Sequence, residues 1–372
     1  MFLSRPTAVR TTTAPLSLED YRQRINVRLE QLYASRQADA ERIDAVYGEL
    51  WAELRVLVLR GGKRLRPYLT YLAYHGLGGT RPEALTDLAA SQEILHNFML
   101  IHDDVFDNDT MRYGGLNISG VYRQKLPRRL AADVRNHLAD AMAIMGGDAL
   151  MGLGFSAIIE ADFPAEQRLM ALRRMERMIF EIDGGEVLDV LIPTFKLTDL
   201  SEDRLLKVCY FKTATYSFEA PLQLGAIMAQ TKGDPGGATA QAISRFALPL
   251  GVAYQLADDL LGTYGDEAQL GKSVLSDVQE GKRTLLMLKG MQLSTGPAKR
   301  TLQSILGNPA ASYKDLARVR DILDTCGARA YVENLAEQHI ARSLVALPMT
   351  GFTPEVRGTL EQLAQFSIHR NV

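Results

Sequence analysis

The stretch Glu93-Ile-Leu-His-Asn-Phe-Met-Leu-Ile-His-Asp-Asp-Val-Phe-Asp107 leaves this chain little freedom in how it folds. Wound as a helix at about 100° per residue, it gathers Glu93, His96, Asn97, Leu100, Asp103, Asp104 and Asp107 into roughly a third of the circumference. Ile94, Leu95, Phe98, Met99, Ile101, Val105 and Phe106 cover most of the remainder. A surface helix normally carries one apolar stripe and a broad polar face. Here the proportions are reversed, so the helix has to be buried with its polar stripe turned to an internal cavity. Three aspartates crowd one end of the stripe, where like charges repel. Tyr113-Gly114-Gly115 suggests that the helix ends soon after Asp107, which adds the negative end of the dipole. Something cationic must offset this. Carboxylates are hard oxygen ligands, and Mg²⁺ is their usual partner when a phosphorylated substrate supplies the other oxygens.

Helical spacing recurs along the chain. One pattern runs from Leu18 to about Arg60. It is followed by Arg60-Gly-Gly-Lys-Arg-Leu-Arg66-Pro67, in which Pro67 is read as opening a short helix that lasts to Gly76. A cationic loop with free backbone donors beside a helix N-terminus suits an anion. The aspartate helix is expected over 83–110, with Arg112 just beyond it. Further helices are expected near 131–160 and 164–192, the second carrying Glu186 and Asp189 three residues apart. Lys212-Thr213 falls inside an apolar helical stretch. Residues 239–261 form another mostly apolar helix ending in Asp258-Asp259, with Gln255, Asp258, Asp259 and Gly262 on one face. A glycine-punctuated loop with Lys272, Asp277 and Lys282 follows, and the pattern is helical from Leu285 onward. No strand pair with a hairpin turn is found. Two Asp-Asp helices with Gly-rich cationic segments describe a site built from charge, suited to a departing diphosphate.

The 372 residues are 47% hydrophobic and 23% charged, enough for a large core, and no Pro/Ser/Gly tract marks a linker. Residues 18–372 are therefore read as a single all-helical domain, and 1–17, which hold no acid, as a disordered tail. A net charge of −2 implies no general affinity for nucleic acid or anionic membranes. Two distant cysteines argue against a disulfide scaffold or zinc site and fit a reducing, cytoplasmic setting. The most apolar run, 141–159, is broken by Gly146-Gly147-Asp148, so no integral membrane segment is expected. P-loop and dinucleotide glycine patterns are absent.

Gly-Gly-Lys-Arg-Leu-Arg-Pro at 61–67, Asp-Asp-Val-Phe-Asp at 103–107, Lys-Thr at 212–213, Gln-Leu-Ala-Asp-Asp at 255–259 and Gly-Lys at 271–272 stand in a telling order. In that order and spacing the chain resembles the trans-isoprenyl diphosphate synthases of the polyprenyl synthetase family, over roughly residues 50–290. The resemblance implies a large all-α bundle around a central active-site cavity, as a homodimer. It implies head-to-tail condensation of an allylic diphosphate with isopentenyl diphosphate. Asp103, Asp104, Asp107, Asp258 and Asp259 would hold three Mg²⁺ on the allylic diphosphate. Arg112, Lys212 and Lys272 would contact that diphosphate, and Lys282 would be a further substrate-binding residue. Lys63, Arg66 and His96 would bind isopentenyl diphosphate, and Thr213 and Gln255 would line the reacting carbons. Phe98 and Met99 occupy the positions that govern product length, pointing to geranylgeranyl diphosphate, with farnesyl or geranylfarnesyl diphosphate as alternatives. Three positions depart from the family pattern: Gly262 stands where a third aspartate is usual, Tyr113 for an arginine and Glu186 for a glutamine. These keep a non-catalytic partner subunit in view, and a class I terpene cyclase shares the aspartate chemistry without an isopentenyl site.

Overall fold

The computed structural model describes residues 14–230, 237–267 and 273–368. The chain is helix upon helix: α1 (Leu18–Ile43), α2 (Ala45–Arg60), α3 (Leu65–Gly76), α4 (Pro82–Phe106), α5 (Ile118–Lys125), α6 (Ala132–Glu160) and α7 (Ala165–Leu191). Next come α8 (Glu202–Val208), a π-helical segment (Cys209–Glu219), α9 (Ala220–Ala229) and α10 (Ala238–Tyr264). Helices over Leu285–Leu293, Gly296–Ile305, Tyr313–Thr325, Ala328–Ala346 and Pro354–Ile368 complete the order. The buried apolar side chains form one cluster.

α4 lies at the centre, in contact with α1, α3, α5 and α6. Pro82 starts it at a position where a missing N–H costs nothing. Its polar residues Ser91, Gln92, Glu93, Asn97 and Asp104 are buried along with its apolar ones, as an inverted amphipathic pattern demands. α10 packs on the π segment and on the helix Ala328–Ala346, while α7 covers another side of the π segment.

Several expectations need correcting. The 18–60 pattern is two helices, because Asp44 leaves the helical backbone (φ −164°) and caps α2 by accepting from the Val46 N–H at 2.8 Å. α3 opens at Leu65 rather than Pro67. α4 stops at Phe106, and α10 runs on past Asp258-Asp259 to Tyr264. A short antiparallel hairpin exists, β1 (Met111–Arg112) with β2 (Gly115–Leu116). Its turn residues Tyr113 and Gly114 both have positive φ (53° and 72°), the type I′ geometry that matches strand twist. The usual signal there is Asn-Gly or Asp-Gly, which is why Tyr-Gly passed unread. Gly146-Gly147 do not break α6, which is long and apolar enough to cross a membrane by length and composition. Of the segment 1–17, residues 1–13 lie outside the described residues. Leu16 is tied down between the Tyr68 and Tyr71 hydroxyls, at 3.0 and 2.9 Å, and Ser17 caps α1.

Candidate active site

The C-terminal turn of α4 and the hairpin after it make the first wall. Arg112 Nε donates to Asp104 Oδ1 at 2.9 Å, and its guanidinium lies 3.5 Å from Asp103. Asp104 Oδ2 is buried with no hydrogen-bond partner. Asp107 is exposed at the C-cap, where its N–H closes on the Asp103 carbonyl. Across from them, Lys212 Nζ is shared by Asp103 at 3.1 Å, Glu186 at 2.9 Å and Asp189 at 2.7 Å. Burial by itself would lower the Lys212 pKa. Asp189, Asp103 and Glu186 together outweigh it and hold the ammonium charged.

The second wall comes from α10. Gln255 accepts from Thr213 Oγ1 at 2.7 Å and donates to Asp259 Oδ1 at 2.9 Å. Asp259 is buried and Asp258 exposed. Lys282 is held charged against its burial by Asp259, Asp277, Asp189 and Asp258, in that order. Asp189 on α7 thus pairs with Lys212 and is also among the acids whose charge acts on Lys282.

Gly262 is not a simple vacancy in the second acidic motif. A Cβ placed there would fall 2.2 Å from Asp277 Oδ2. The buried Asp277, on the short helix Ser276–Gln279, therefore fills the room an aspartate at 262 would need. A carboxylate stands in that place, delivered from outside the motif.

The cationic loop is more divided than its sequence suggests. Arg64 is fully buried, bonded to Glu93 at 2.7 Å, Asn26 at 2.8 Å and the Val58 carbonyl at 2.6 Å. Glu93 is thus a structural partner and no part of the open stripe. Arg60 caps the Leu116 carbonyl at 2.9 Å. That leaves Lys63, which is exposed, and Arg66, which donates to Ser217 Oγ at 2.7 Å and lies 4.3 Å over the Tyr216 ring. His96 Nδ1 bonds the Tyr216 hydroxyl. Burial, then Arg66, Arg112 and Arg64, hold the imidazole neutral. His96 therefore meets the Tyr216 hydroxyl as a neutral imidazole rather than a cation. Tyr216, Ser217, Asp189 and Asp277 escaped the sequence-based site. Their signals were the four- and five-residue spacing from Lys212, the Glu186/Asp189 pairing and the glycine opposite Asp277.

Phe98 and Met99 are both buried. Phe98 packs edge-on to His102 at 4.8 Å, away from the stripe, and His102 bonds the Ile144 carbonyl on α6 at 3.2 Å. Met99 shares the face of Gln92, which reaches Met175 on α7. Lys272 lies outside the described residues.

The carboxyls are primed for a cation. Burial, opposed chiefly by Arg112, pushes Asp104 up to about 6. Burial, opposed by Lys212, pushes Glu186 up to about 7. Burial, opposed by Lys282 and Gln255, pushes Asp259 up to about 7. Among the described residues no three acidic, His or Cys side chains converge on one metal-sized point. The unfolded chain loses these protons near pH 4, whereas the folded chain keeps them to about pH 6–7. The folded state therefore binds more protons in that window, and stability falls as pH rises through it. With chelator present, the urea midpoint is expected to be lower at pH 8 than at pH 5.5; equal midpoints would contradict the placement of these groups.

The polyprenyl synthetase family model matches residues 47–323. A geranylgeranyl diphosphate synthase of Saccharolobus solfataricus is 33% identical over 319 residues, 84% of this chain and 88% of the relative. A geranylfarnesyl diphosphate synthase of Aeropyrum pernix is 31% identical over 77% of this chain and 83% of its own. The crystal structure of geranylgeranyl pyrophosphate synthase from Corynebacterium glutamicum, complexed with isoprenyl diphosphate and magnesium, superposes with a TM-score of 0.86. It is 28% identical and covers 96% of this chain and 100% of that one. With its matched span and its all-helical bundle, this chain belongs to the polyprenyl synthetase family and is a prenyltransferase.

Proposed function

We propose that this chain condenses isopentenyl diphosphate with an allylic diphosphate, Mg²⁺-dependently and head to tail, to give geranylgeranyl diphosphate. The observation that carries the reading is the alternation of carboxylate and cation from Asp104 through Arg112, Asp103, Lys212 and Asp189 to Lys282 and Asp259. Asp103, Asp104, Asp107, Asp258 and Asp259 hold the magnesium, three ions in this reading. The buried, unpartnered Asp104 Oδ2 is the sign that a cation fits. Bound Mg²⁺ stabilises the charge that develops on the departing diphosphate. Arg112, Lys212, Lys272 and Lys282 neutralise the remaining charge, Lys212 turning from its three carboxylates toward the phosphate. Lys63, Arg66 and the neutral His96 seat isopentenyl diphosphate, with Tyr216 and Ser217 fixing His96 and Arg66. Thr213 and Gln255, joined to each other, line the reacting carbons. The allylic C–O bond ionises, the alkene attacks the cation, and a proton passes to the released diphosphate.

The test is chromatography of products formed with Mg²⁺, isopentenyl diphosphate and an allylic primer. A twenty-carbon product is expected, and chains beyond twenty-five carbons refute the product. No turnover by the purified chain would favour a non-catalytic subunit.

A homodimer is part of the proposal. Val134, Leu138, Ala141, Met145, Asp148, Gly152, Phe155 and Ile159 follow a strict alternating spacing of four and three along the outer face of α6. Val134, Leu138, Met145 and Ile159 are exposed. Such a stripe suits the seam of paired helices, and its one charged member, Asp148, lies 3.6 Å from His102 on α4 of the same chain. The double variant Leu138→Lys/Met145→Lys is expected to sediment as monomer with unchanged helicity. A dimer that survives both charges removes α6 as the interface.

A further inference from the structure

One buried ion pair takes no part in the chemistry above. Arg174 on α7 and Glu219, the last residue of the π segment, have side chains only 9% and 12% exposed and meet at 3.2 Å. Arg174 Nε also donates to Gln223 Oε1 on α9 at 2.5 Å, and the Gln223 amide donates to Ser244 Oγ on α10 at 2.9 Å. Glu181 lies 3.9 Å from Arg174 Nη1, and that nitrogen and Glu181 Oε2 are both buried without a hydrogen bond. Burying such a pair is costly, and apolar side chains of similar volume are often as stable or more so. Stability alone does not explain it.

The segment that Glu219 ends is the unusual part of the fold. The Ala220 N–H donates to the Thr215 carbonyl, five residues back. The next residue, Pro221, has no N–H with which to return to the four-residue ladder. π-helical turns are rare and concentrate at functional sites. A turn of more than four residues brings Lys212, Tyr216 and Ser217 to one side of this one. Lys212 there meets Asp103, Glu186 and Asp189, Tyr216 meets His96, and Ser217 meets Arg66. The segment therefore carries contacts to both proposed substrate sites. Slipping it by one residue to an α ladder would swing those side chains by about 100°.

Neighbouring backbone closes on the segment from two sides. A Cβ at Gly185 on α7 would fall 2.6 Å from Lys212 N, and one at Gly251 on α10 would fall 2.4 Å from Ala214 Cα. Those contacts stop the segment moving sideways. Rotation about its axis is fixed by side chains, and α7 supplies partners at both ends: Glu186 and Asp189 for Lys212, and Arg174 for Glu219.

We propose that Arg174 and Glu219 are positioning residues. By anchoring the C-terminal end of the π segment to α7, they hold the register in which Lys212 and Thr213 face the allylic diphosphate and Tyr216 and Ser217 face the isopentenyl site. The proposal rests on the two-substrate reading above.

The test is the double variant Arg174→Met/Glu219→Leu, which removes both charges and leaves Glu181 paired with Arg177 at 2.8 Å. Its urea midpoint is expected to match or exceed that of the wild type. Its kcat is expected to fall about 10²-fold, the cost of a displacement of about 1 Å at the reacting atoms. Both KM values should change by less than about threefold, because Arg112, Lys282 and Lys63, none of them carried by the π segment, still meet the diphosphates. Arg174→Lys, which keeps the charge, should recover most of the loss. A double variant with wild-type kcat overturns the proposal. If the double variant does not fold, Glu219→Gln decides, since it keeps the shape and loses the charge. A kcat reduced at least about fivefold supports the positioning role, and an unchanged kcat removes it. Wild-type turnover in the same assay separates failure here from failure of the two-substrate reading.

Discussion

Asp103→Ala lowers kcat by at least about 10³-fold, about 4 kcal/mol of transition-state stabilisation, with helical content unchanged; that is the expected result. Asp103 is the carboxylate that both cations of the first wall address, Lys212 at 3.1 Å and Arg112 at 3.5 Å. Without it the site loses a cation ligand at the point where the leaving charge forms. The fold does not depend on it, because Lys212 keeps Glu186 and Asp189 and Arg112 keeps Asp104. One source of like-charge repulsion in the ligand-free protein also disappears. Turnover and far-ultraviolet circular dichroism on the same preparation check this, and wild-type rates would contradict the assignment.

Glu93→Ala should act in the opposite manner, through stability. Its partner Arg64 is sealed in, with side chains 1% and 2% exposed across the pair. The variant leaves a guanidinium with Asn26 and the Val58 carbonyl but without its counter-charge. Breaking a buried pair in this way costs about 3–5 kcal/mol. Urea unfolding measures it as a lower midpoint at unchanged slope. A loss below about 1 kcal/mol would show that water or another acid reaches Arg64. Glu93→Gln, which keeps the shape and one acceptor, should lose less.

These two variants mark how far the sequence could be read. Helical periodicity over 93–107 puts Glu93 and Asp103 on one stripe and treats them alike. Only the fold brings Arg64, 29 residues earlier, onto Glu93 and leaves Asp103 to the cavity. Helix existence was legible because apolar spacing is local. The Asp44 break, the run of α10 past Asp259 and the Tyr113-Gly114 turn were not, because each depends on capping or backbone geometry with a weak residue signature. The π segment was invisible for a related reason: its apolar spacing passes for an α-helix, and its widened ladder follows from Pro221 and from neighbours on α7 and α10. Gly262 looked like a missing ligand until Asp277, fifteen residues on, was seen in its place. His96 was legible as a polar group at a site, but its neutrality comes from burial and from three arginines on two distant segments.

His102, adjacent to Asp103, rests on α6. Its Nε2 lies 3.2 Å from the Ile144 carbonyl, and a Cβ at Gly147 would fall 2.3 Å from that same nitrogen. Met145, on the seam proposed to join two copies, stands between those two positions in sequence. In the proposed dimer, assembly and chemistry share a single helical turn. Specific activity per chain should then decline on dilution, with its half-point at the dissociation constant of the pair, and adding back inactive chains that still associate should restore it.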